Sequence, residues 1–303
     1  MTKVKISAVI CTYNRAELLD KCIKSLTEQS LDKSKYEIII VNNNSTDNTQ
    51  EVINKWAVSN KQIVTVLEKQ QGKSFALNAG IKKANGKYVA FTDDDIYVEP
   101  DWLERLLYAF THIKPEPVSV GGKIIPYFDS TPPQWFIDGG YEFREKGDVG
   151  KFLELPQARN GFSGGNVAYA KWALIKINGY STSFGPKENK FIMGEDTEIS
   201  NRIHQQNPNF WYDPDIVVNH FTPDSHFRYS FWIKRSYLTG IANAKLKPVN
   251  FLSKQYVRRV IYLLSALLDV FVATFSWKKE WKLKVVNRLR ILALSLGKLT
   301  LFK

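Results

Sequence analysis

Tyr88-Val89-Ala90-Phe91-Thr92-Asp93-Asp94-Asp95 is a short run suited to a buried strand that passes directly into three adjacent carboxylates. An unbroken apolar run of this length reads as a parallel strand covered on both faces. Three neighbouring carboxylates repel one another. A divalent cation bridging them to a diphosphate relieves that repulsion and meets the hard oxygen ligands that Mg2+ or Mn2+ prefers. The competing reading is an acidic turn that caps a helix, because Pro100 and then the helical pattern Trp102 to Phe110 follow.

Upstream, the same kind of unit repeats. Ile6 to Ile10 reads as a strand, and Ala16 to Gln29 carries Leu18, Leu19, Cys22, Ile23 and Leu26 at helical spacing. Tyr36 to Val41 is the next strand, Asp47 to Trp56 a helix, Ile63 to Leu67 a strand and Ser74 to Ala84 a helix. This alternation predicts an α/β fold with a doubly wound sheet. Ligands in such sheets gather outside the carboxyl ends of the strands. The polar loops Cys11 to Arg15, Asn42 to Asn48, Gln70 to Ser74 and Asp93 to Asp95 each follow a strand and are expected along one edge. Lys114 to Gly165, rich in Pro, Gly and aromatics, reads as loops, short strands and a lid, after which Gly194 to Gln206 returns to helical character.

Three further groups bear on chemistry. Gly194-Glu195-Asp196 opens a helix. Its acids either complement the helix dipole, or Asp196 serves as a general base toward an acceptor hydroxyl. His220 closes the β-branched run Val217-Val218-Asn219 and is either a structural residue or a neutral imidazole completing a metal shell. Gln71-Gly72-Lys73-Ser74 precedes a helix, where amides and a lysine suit phosphate, although Lys73 reads equally well as a solvated surface charge. It is not a Walker loop, which needs a longer Gly-rich turn before its lysine.

The net charge of +12 is unevenly spread over the 303 residues. Residues 241–303 hold 13 Lys and Arg against Asp269 and Glu280, so this segment carries +11 of it. Aliphatic residues lie between these charges, which favours an anionic membrane surface over nucleic acid. Val260 to Trp277 is eighteen residues with Asp269 near the centre. At about 1.5 Å per residue such a helix just reaches across a hydrocarbon core, but a central Asp costs roughly 2.5–3.5 kcal/mol there. Arg258 and Arg259 at one end and Lys278, Lys279, Lys282 and Lys284 at the other fit a helix lying in the interface. With Leu283 to Phe302 it forms either a membrane-association region or a helical pair packed on protein. The N-terminus shows no apolar signal segment, and the two cysteines, Cys11 and Cys22, are expected as reduced thiols. A cytoplasmic protein, peripheral on the inner face of the cell membrane, is the expectation.

Ser7 to Arg15, Ile38 to Thr49, Asn78-Ala79-Gly80, Asp93 to Asp95 and Gly194 to Asp196 together resemble the family 2 glycosyltransferases of the GT-A fold. The segment Gly164 to Tyr169, with Gly179-Tyr180, resembles that family's acceptor side. The resemblance covers roughly residues 4–240 and implies a mixed sheet with a Rossmann-like nucleotide-binding half. The domains would be a catalytic domain over 1–240 and a basic, helical membrane-association region over 241–303. Thr12, Tyr13 and Asn14 would flank the nucleotide base, with Asn43, Lys73, Asp93 and Asp94 also on the nucleotide; Asp93, Asp95 and His220 would hold Mn2+ or Mg2+; Asp196, with Glu195, would be catalytic. Such enzymes invert the anomeric centre, moving a sugar from a nucleoside-diphosphate sugar, here with UDP favoured, to a saccharide or lipid-linked hydroxyl in polysaccharide or glycolipid assembly. Relatives often place an Asp where this chain reads Asn42-Asn43-Asn44. The rivals are a nucleotidyltransferase, which would need a Gly-rich loop after the first strand, and a non-catalytic membrane-bound scaffold or polyanion binder. Donor sugar, linkage and oligomeric state have no signature in one sequence.

Overall fold

The computed structural model describes residues 4–138, 151–152, 162–187, 190–250, 253–274 and 281–299. In chain order the elements are β1 (Ile6–Thr12), α1 (Ala16–Thr27), β2 (Tyr36–Asn42), α2 (Thr49–Ser59), β3 (Ile63–Leu67), α3 (Lys73–Lys83) and β4 (Tyr88–Asp93). Then come β5 (Ile96–Val98), α4 (Trp102–His112), β6 (Ser119–Tyr127), α5 (Gln134–Asp138), β7 (Lys151–Phe152), β8 (Val167–Ala170) and α6 (Lys171–Lys176). The last are β9 (Gly185–Lys187), β10 (Lys190–Ile192), α7 (Glu195–Gln206), β11 (Phe210–Phe221), α8 (Tyr229–Leu246), α9 (Lys254–Thr274) and α10 (Trp281–Leu299).

Two compact units emerge. The first comprises Met1–Tyr127, Phe143–Glu188 and Glu195–Phe221, and the second Phe128–Glu142, Asn189–Gly194 and Thr222–Lys303. In the first, the sheet runs β3-β2-β1-β4-β8-β6-β11-β5, with β7 paired to β11. β1 is parallel to both β2 and β4, and β2 to β3, as the strand-helix alternation predicts. Every residue of β2 is buried, which is why it reads as one continuous apolar run. α1 covers the sheet through Leu19, Cys22, Ile23 and Leu26, the buried side of its helical periodicity. β8 runs antiparallel between β4 and β6, which makes the sheet mixed.

The stretch Lys114 to Gly165 contains more order than its pattern suggests, since β6 extends over nine residues and pairs parallel with β11. Gly121, Gly122 and Pro126 interrupt its apolar alternation. Gly122 is there because a Cβ would fall 1.9 Å from the Ile216 carbonyl oxygen. Residues 139–150 and 153–161 of the expected lid lie outside the described residues. β11 is likewise longer than Val217 to His220. Pro214 sits at its register shift between Asp213 and Val217, where a missing amide costs no ladder bond.

The second unit is helical. α10 packs along α8 and against α9. Val257, Ile261, Leu264, Leu268 and Phe271 of α9 are exposed and recur every four and three residues, one apolar stripe on that helix. No helix among the described residues is long and apolar enough to cross a membrane. α9 begins at Lys254, earlier than the expected Val260, while residues 275–277 and 300–302 of the expected tail helices lie outside the described residues.

Candidate active site

Strand register builds one polar edge in the first unit. Thr12 pairs with Asn42 and Cys11 with Asp93, so three loops leave the sheet side by side. Asn14 adopts a left-handed backbone, φ 52°, which asparagine tolerates better than most residues. Its N–H donates to Ser45 Oγ at 3.0 Å and its Oδ1 accepts from Thr46 N at 2.7 Å, stitching the first loop to the second. Thr12 is buried and Tyr13 is exposed beside it.

Asn43 is buried and its amide is occupied by the chain itself. Nδ2 donates to the carbonyls of Glu68 and Gln70 at 3.0 and 2.8 Å, and Oδ1 accepts from Gly72 N at 2.8 Å. This residue therefore shapes the loop that delivers Lys73. An aspartate, which has no side-chain donor when ionised, could not make the first two of these bonds.

The three carboxylates diverge. Asp93 Oδ1 lies 2.7 Å from Lys73 Nζ, which is also 3.7 Å from Glu195 Oε1. Burial works against the Lys73 ammonium, yet Asp93, Asp196 and Glu195 together hold its pKa well above the ordinary range. Burial likewise opposes ionisation of Asp93, but Lys73 prevails and lowers its pKa. Asp94 turns inward to Arg15 Nη1 at 2.9 Å; burial outweighs the arginine, and with Asp95 adding to it the pKa is pushed up to about 6. Asp95 Oδ2 meets the same guanidinium at 2.8 Å, while its Oδ1 stands 3.5 Å from His220 Nε2. β5, not a helix, follows the acids, so they are not the N-cap of α4; β5 pairs His220 with Ile96 and draws the imidazole to Asp95.

Asp93, Asp95 and His220 offer ligand atoms that all lie within 4.8 Å of one another. Two carboxylates and an imidazole are a donor set suited to a divalent cation.

At the start of α7, Glu195 is buried and Asp196 largely so. Asp196 Oδ2 accepts from Gly164 N at 2.9 Å, a bond to another segment and not to its own helix. Its Oδ1 is buried without a hydrogen-bond partner among the described residues. Burial, reinforced by Glu195 and opposed by Lys73, pushes its pKa up to about 7. Gly164 is held in place by its neighbour Asn166, whose Nδ2 donates to the carbonyls of Lys123 and Ile216 at 2.9 and 2.8 Å while its Oδ1 accepts from Trp102 Nε1 at 2.9 Å. Asn78 ties α3 to Tyr180, accepting from its N–H and donating to its carbonyl, each at 2.8 Å.

The fold thus gathers Thr12, Tyr13, Asn14, Asn43, Lys73, Asp93, Asp94, Asp95, Glu195, Asp196 and His220 within one unit. Three residues joined to them were not singled out from the sequence as site residues: Arg15, Gly164 and Asn166. All three lie inside the family-like segments Ser7 to Arg15 and Gly164 to Tyr169, but only a partner distant in the chain gives each a task.

A parallel half-sheet with a strand-terminal acidic cluster, faced by an acidic helix start, defines the GT-A class of glycosyltransferases, and this protein is an enzyme of that class. Residues 7–176, more than half of the chain, match the model for glycosyl transferase family 2, and the chain belongs to that family. It is 25% identical over 240 residues to the glucosyl-dolichyl phosphate glucuronosyltransferase of Haloferax volcanii, covering 78% of this chain and 75% of that one. A dolichyl N-acetyl-alpha-D-glucosaminyl phosphate 3-beta-D-2,3-diacetamido-2,3-dideoxy-beta-D-glucuronosyltransferase of Methanococcus voltae is 28% identical over 238 residues, 73% of this chain and 68% of its own. Among solved structures, the mannosyltransferase PcManGT from Pyrobaculum calidifontis, in complex with GDP-Man and Mn2+, superimposes with a TM-score of 0.67 at 18% identity, covering 98% of this chain and 88% of that one. This last likeness concerns the fold.

Proposed function

We propose that this glycosyltransferase is metal-dependent and inverting, moving a sugar from a nucleoside-diphosphate donor, UDP favoured, to the hydroxyl of a lipid-linked saccharide. The observation that carries the reading is Lys73, which pairs with Asp93 and Glu195 at once and so makes the acidic cluster and the start of α7 one centre.

In this scheme Thr12, Tyr13 and Asn14 line the base, and Asn43 acts by holding the loop that places Lys73. Asp93, Asp95 and His220 hold Mn2+ or Mg2+, which when bound supplies Lewis-acid neutralisation of charge on the departing diphosphate. Asp196 keeps Oδ2 on the Gly164 amide and takes the acceptor proton on Oδ1 as the acceptor oxygen attacks the anomeric carbon. The diphosphate leaves from the opposite face, so the configuration inverts without a covalent enzyme intermediate. Glu195 keeps Lys73 in register and its charge raises the affinity of Asp196 for that proton.

The lipid-linked acceptor is supported by the names of the two archaeal relatives. The exposed apolar stripe of α9, set in a strongly basic segment, supports a peripheral position on an anionic membrane surface. Residues 1–240 are then the catalytic domain and 241–303 the membrane-association region.

Calorimetry with a panel of nucleoside diphosphates and nucleotide sugars, in Mn2+ or Mg2+ and then in EDTA, tests the scheme. Metal-dependent binding that disappears in Asp95→Ala is expected, with Asp196→Asn retaining binding and losing turnover. Absence of binding under every condition would overturn it in favour of a non-catalytic scaffold.

A further inference from the structure

Three of the site's elements meet on one turn that the proposed reaction does not use. After α6 the chain turns back through Asn178 and Gly179, both left-handed at φ 58° and 67°. Glycine is needed at 179 on a second count, because a Cβ there would fall 2.3 Å from Asn78 Oδ1. That oxygen accepts from Tyr180 N at 2.8 Å and so ties the turn to α3, the helix that Lys73 opens. The Tyr180 ring meets Phe91 of β4 edge to face, 5.6 Å between centroids, two residues before Asp93. Burial first, then Tyr169, Asp196 and Glu195, push the Tyr180 hydroxyl well above its ordinary range, so the same side chain also feels the acids that open α7.

The third tie is Arg202, on α7. Its Nε and Nη2 fork onto the two oxygens of Glu198 at 2.6 and 2.7 Å, four residues back on one face of the helix. Its Nη1 and Nη2 donate to the carbonyls of Ile177 and Gly179 at 2.6 and 2.7 Å. Glu198 thus sets the plane of the guanidinium, and the turn receives it. Both side chains are largely withdrawn from water, Arg202 30% and Glu198 15% exposed, so these bonds are less screened than those of a surface pair. On the opposite face of α7, Ser200 Oγ lies 3.1 Å from Tyr169 OH of β8. An anchor on each face fixes the roll of α7. Its first residues are thereby delivered to set places, Glu195 3.7 Å from Lys73 and Asp196 2.9 Å from the Gly164 amide. Water alone can satisfy the free carbonyls at a helix end. Four bonds from one guanidinium, divided between α7 and the turn, fix a distance and a rotation as well.

We propose that Arg202 is a positioning residue for glycosyl transfer: it locks the turn at 177–180 onto α7 and thereby sets Asp196 against Gly164 and Glu195 against Lys73. The role rests on the reading of Asp196 as the base.

The test uses the full chain without ligand and reads amide hydrogen exchange by NMR at Gly164, at Tyr180 and in the buried strands β1 and β2. The variants are Arg202→Lys, which keeps the charge and loses the fork, and Arg202→Met combined with Glu198→Gln, which leaves no unpaired carboxylate. In the double variant exchange should speed up about tenfold at both Tyr180 and Gly164, the size expected for losing charge-assisted bonds, and stay unchanged in β1 and β2. Arg202→Lys should fall between. Faster exchange at Tyr180 with Gly164 unmoved would make Arg202 a cap for α6 and overturn the proposal. Equal loss of protection in β1 and β2, which is general destabilisation, overturns it too, as does no change at any of these amides. Should the double variant not fold, Arg202→Lys alone carries the same comparison. Release of UDP from UDP-glucose in Mn2+ is followed on the same samples. There kcat should fall about 10–100-fold with KM kept, the cost of a displaced reacting group, and recover in part in Arg202→Lys. A change confined to KM would sink the role. No turnover in the wild type counts against the glycosyl-transfer reading alone, because the exchange comparison needs no substrate.

Discussion

Gly164→Ala places one methyl group against Asp196. The new Cβ would lie 2.4 Å from Asp196 Oδ1 and 2.9 Å from Cγ and Oδ2, distances that real Cβ atoms do not show. The aspartate is short and begins a helix, so it relieves the clash only by rotating away. It thereby gives up the 2.9 Å bond from the Gly164 amide. A misplacement of about 1 Å in a reacting group costs on the order of 10²-fold in rate. Complete loss of a general base costs roughly 10²–10⁴-fold, or about 3–5 kcal/mol of barrier. We therefore expect kcat to fall by about 10²–10³-fold with donor affinity unchanged, because the three atoms nearest the new Cβ all belong to Asp196. The lost hydrogen bond favoured the ionised form, so the rising limb of the pH–rate profile should move above the midpoint of about 7 set by Asp196 in the wild type. Steady-state kinetics between pH 5.5 and 9 is the assay, with the Tm as a check on folding. A Gly164→Ala enzyme with wild-type kcat and an unmoved profile would refute the assignment of Asp196 as the base.

Asp196→Asn should abolish that limb and lower kcat by about 10²–10⁴-fold. Because the folded-state pKa of Asp196 is raised to about 7, its contribution to stability is full below the ordinary carboxylate range and lost as pH rises through 7; the Asn variant should accordingly unfold at higher temperature than wild type at pH 8. Asn43→Asp removes both bonds donated to the Glu68 and Gln70 carbonyls. A stability loss of about 1–3 kcal/mol, with weakened nucleotide binding as Lys73 loses its placement, should appear in chemical denaturation and calorimetry. Arg15→Met removes the guanidinium that opposes the effect of burial on Asp94, so carboxyl NMR should show Asp94 titrating above about 6. On α9, Leu264→Glu with Leu268→Glu should release the full chain from anionic vesicles while leaving soluble nucleotide binding intact; unchanged co-sedimentation would show that this stripe is not the contact.

Much of the first half of the fold is written locally. The strands β1, β2 and β4 and the helices α1 and α3 emerge from runs and periodicities of a few residues, because burial on both faces or on one side leaves a direct mark on composition. The polar loops at the carboxyl edge follow from strand ends alone, and so do the acids at 93–95. The sequence also separated the basic, aliphatic end of the chain from the nearly neutral remainder, since charge can be counted without a structure. What the tertiary structure decided are the contacts that join distant segments. Asp94 became the partner of Arg15, 79 residues away, and not another open ligand, because β1 and β4 are parallel neighbours. His220 reached Asp95 through the short antiparallel strand β5, which has no pattern of its own at three residues. Gly164 met Asp196 across 32 residues because Asn166 is bonded to two strands and to Trp102. Arg235 of α8 and Arg290 of α10 came to the Trp232 indole because Gly240 and Gly297 let those two helices touch. A sequence records what each segment must bury. Which buried or charged groups then face each other is set by strand order and helix approach, and these belong to the folded chain as a whole.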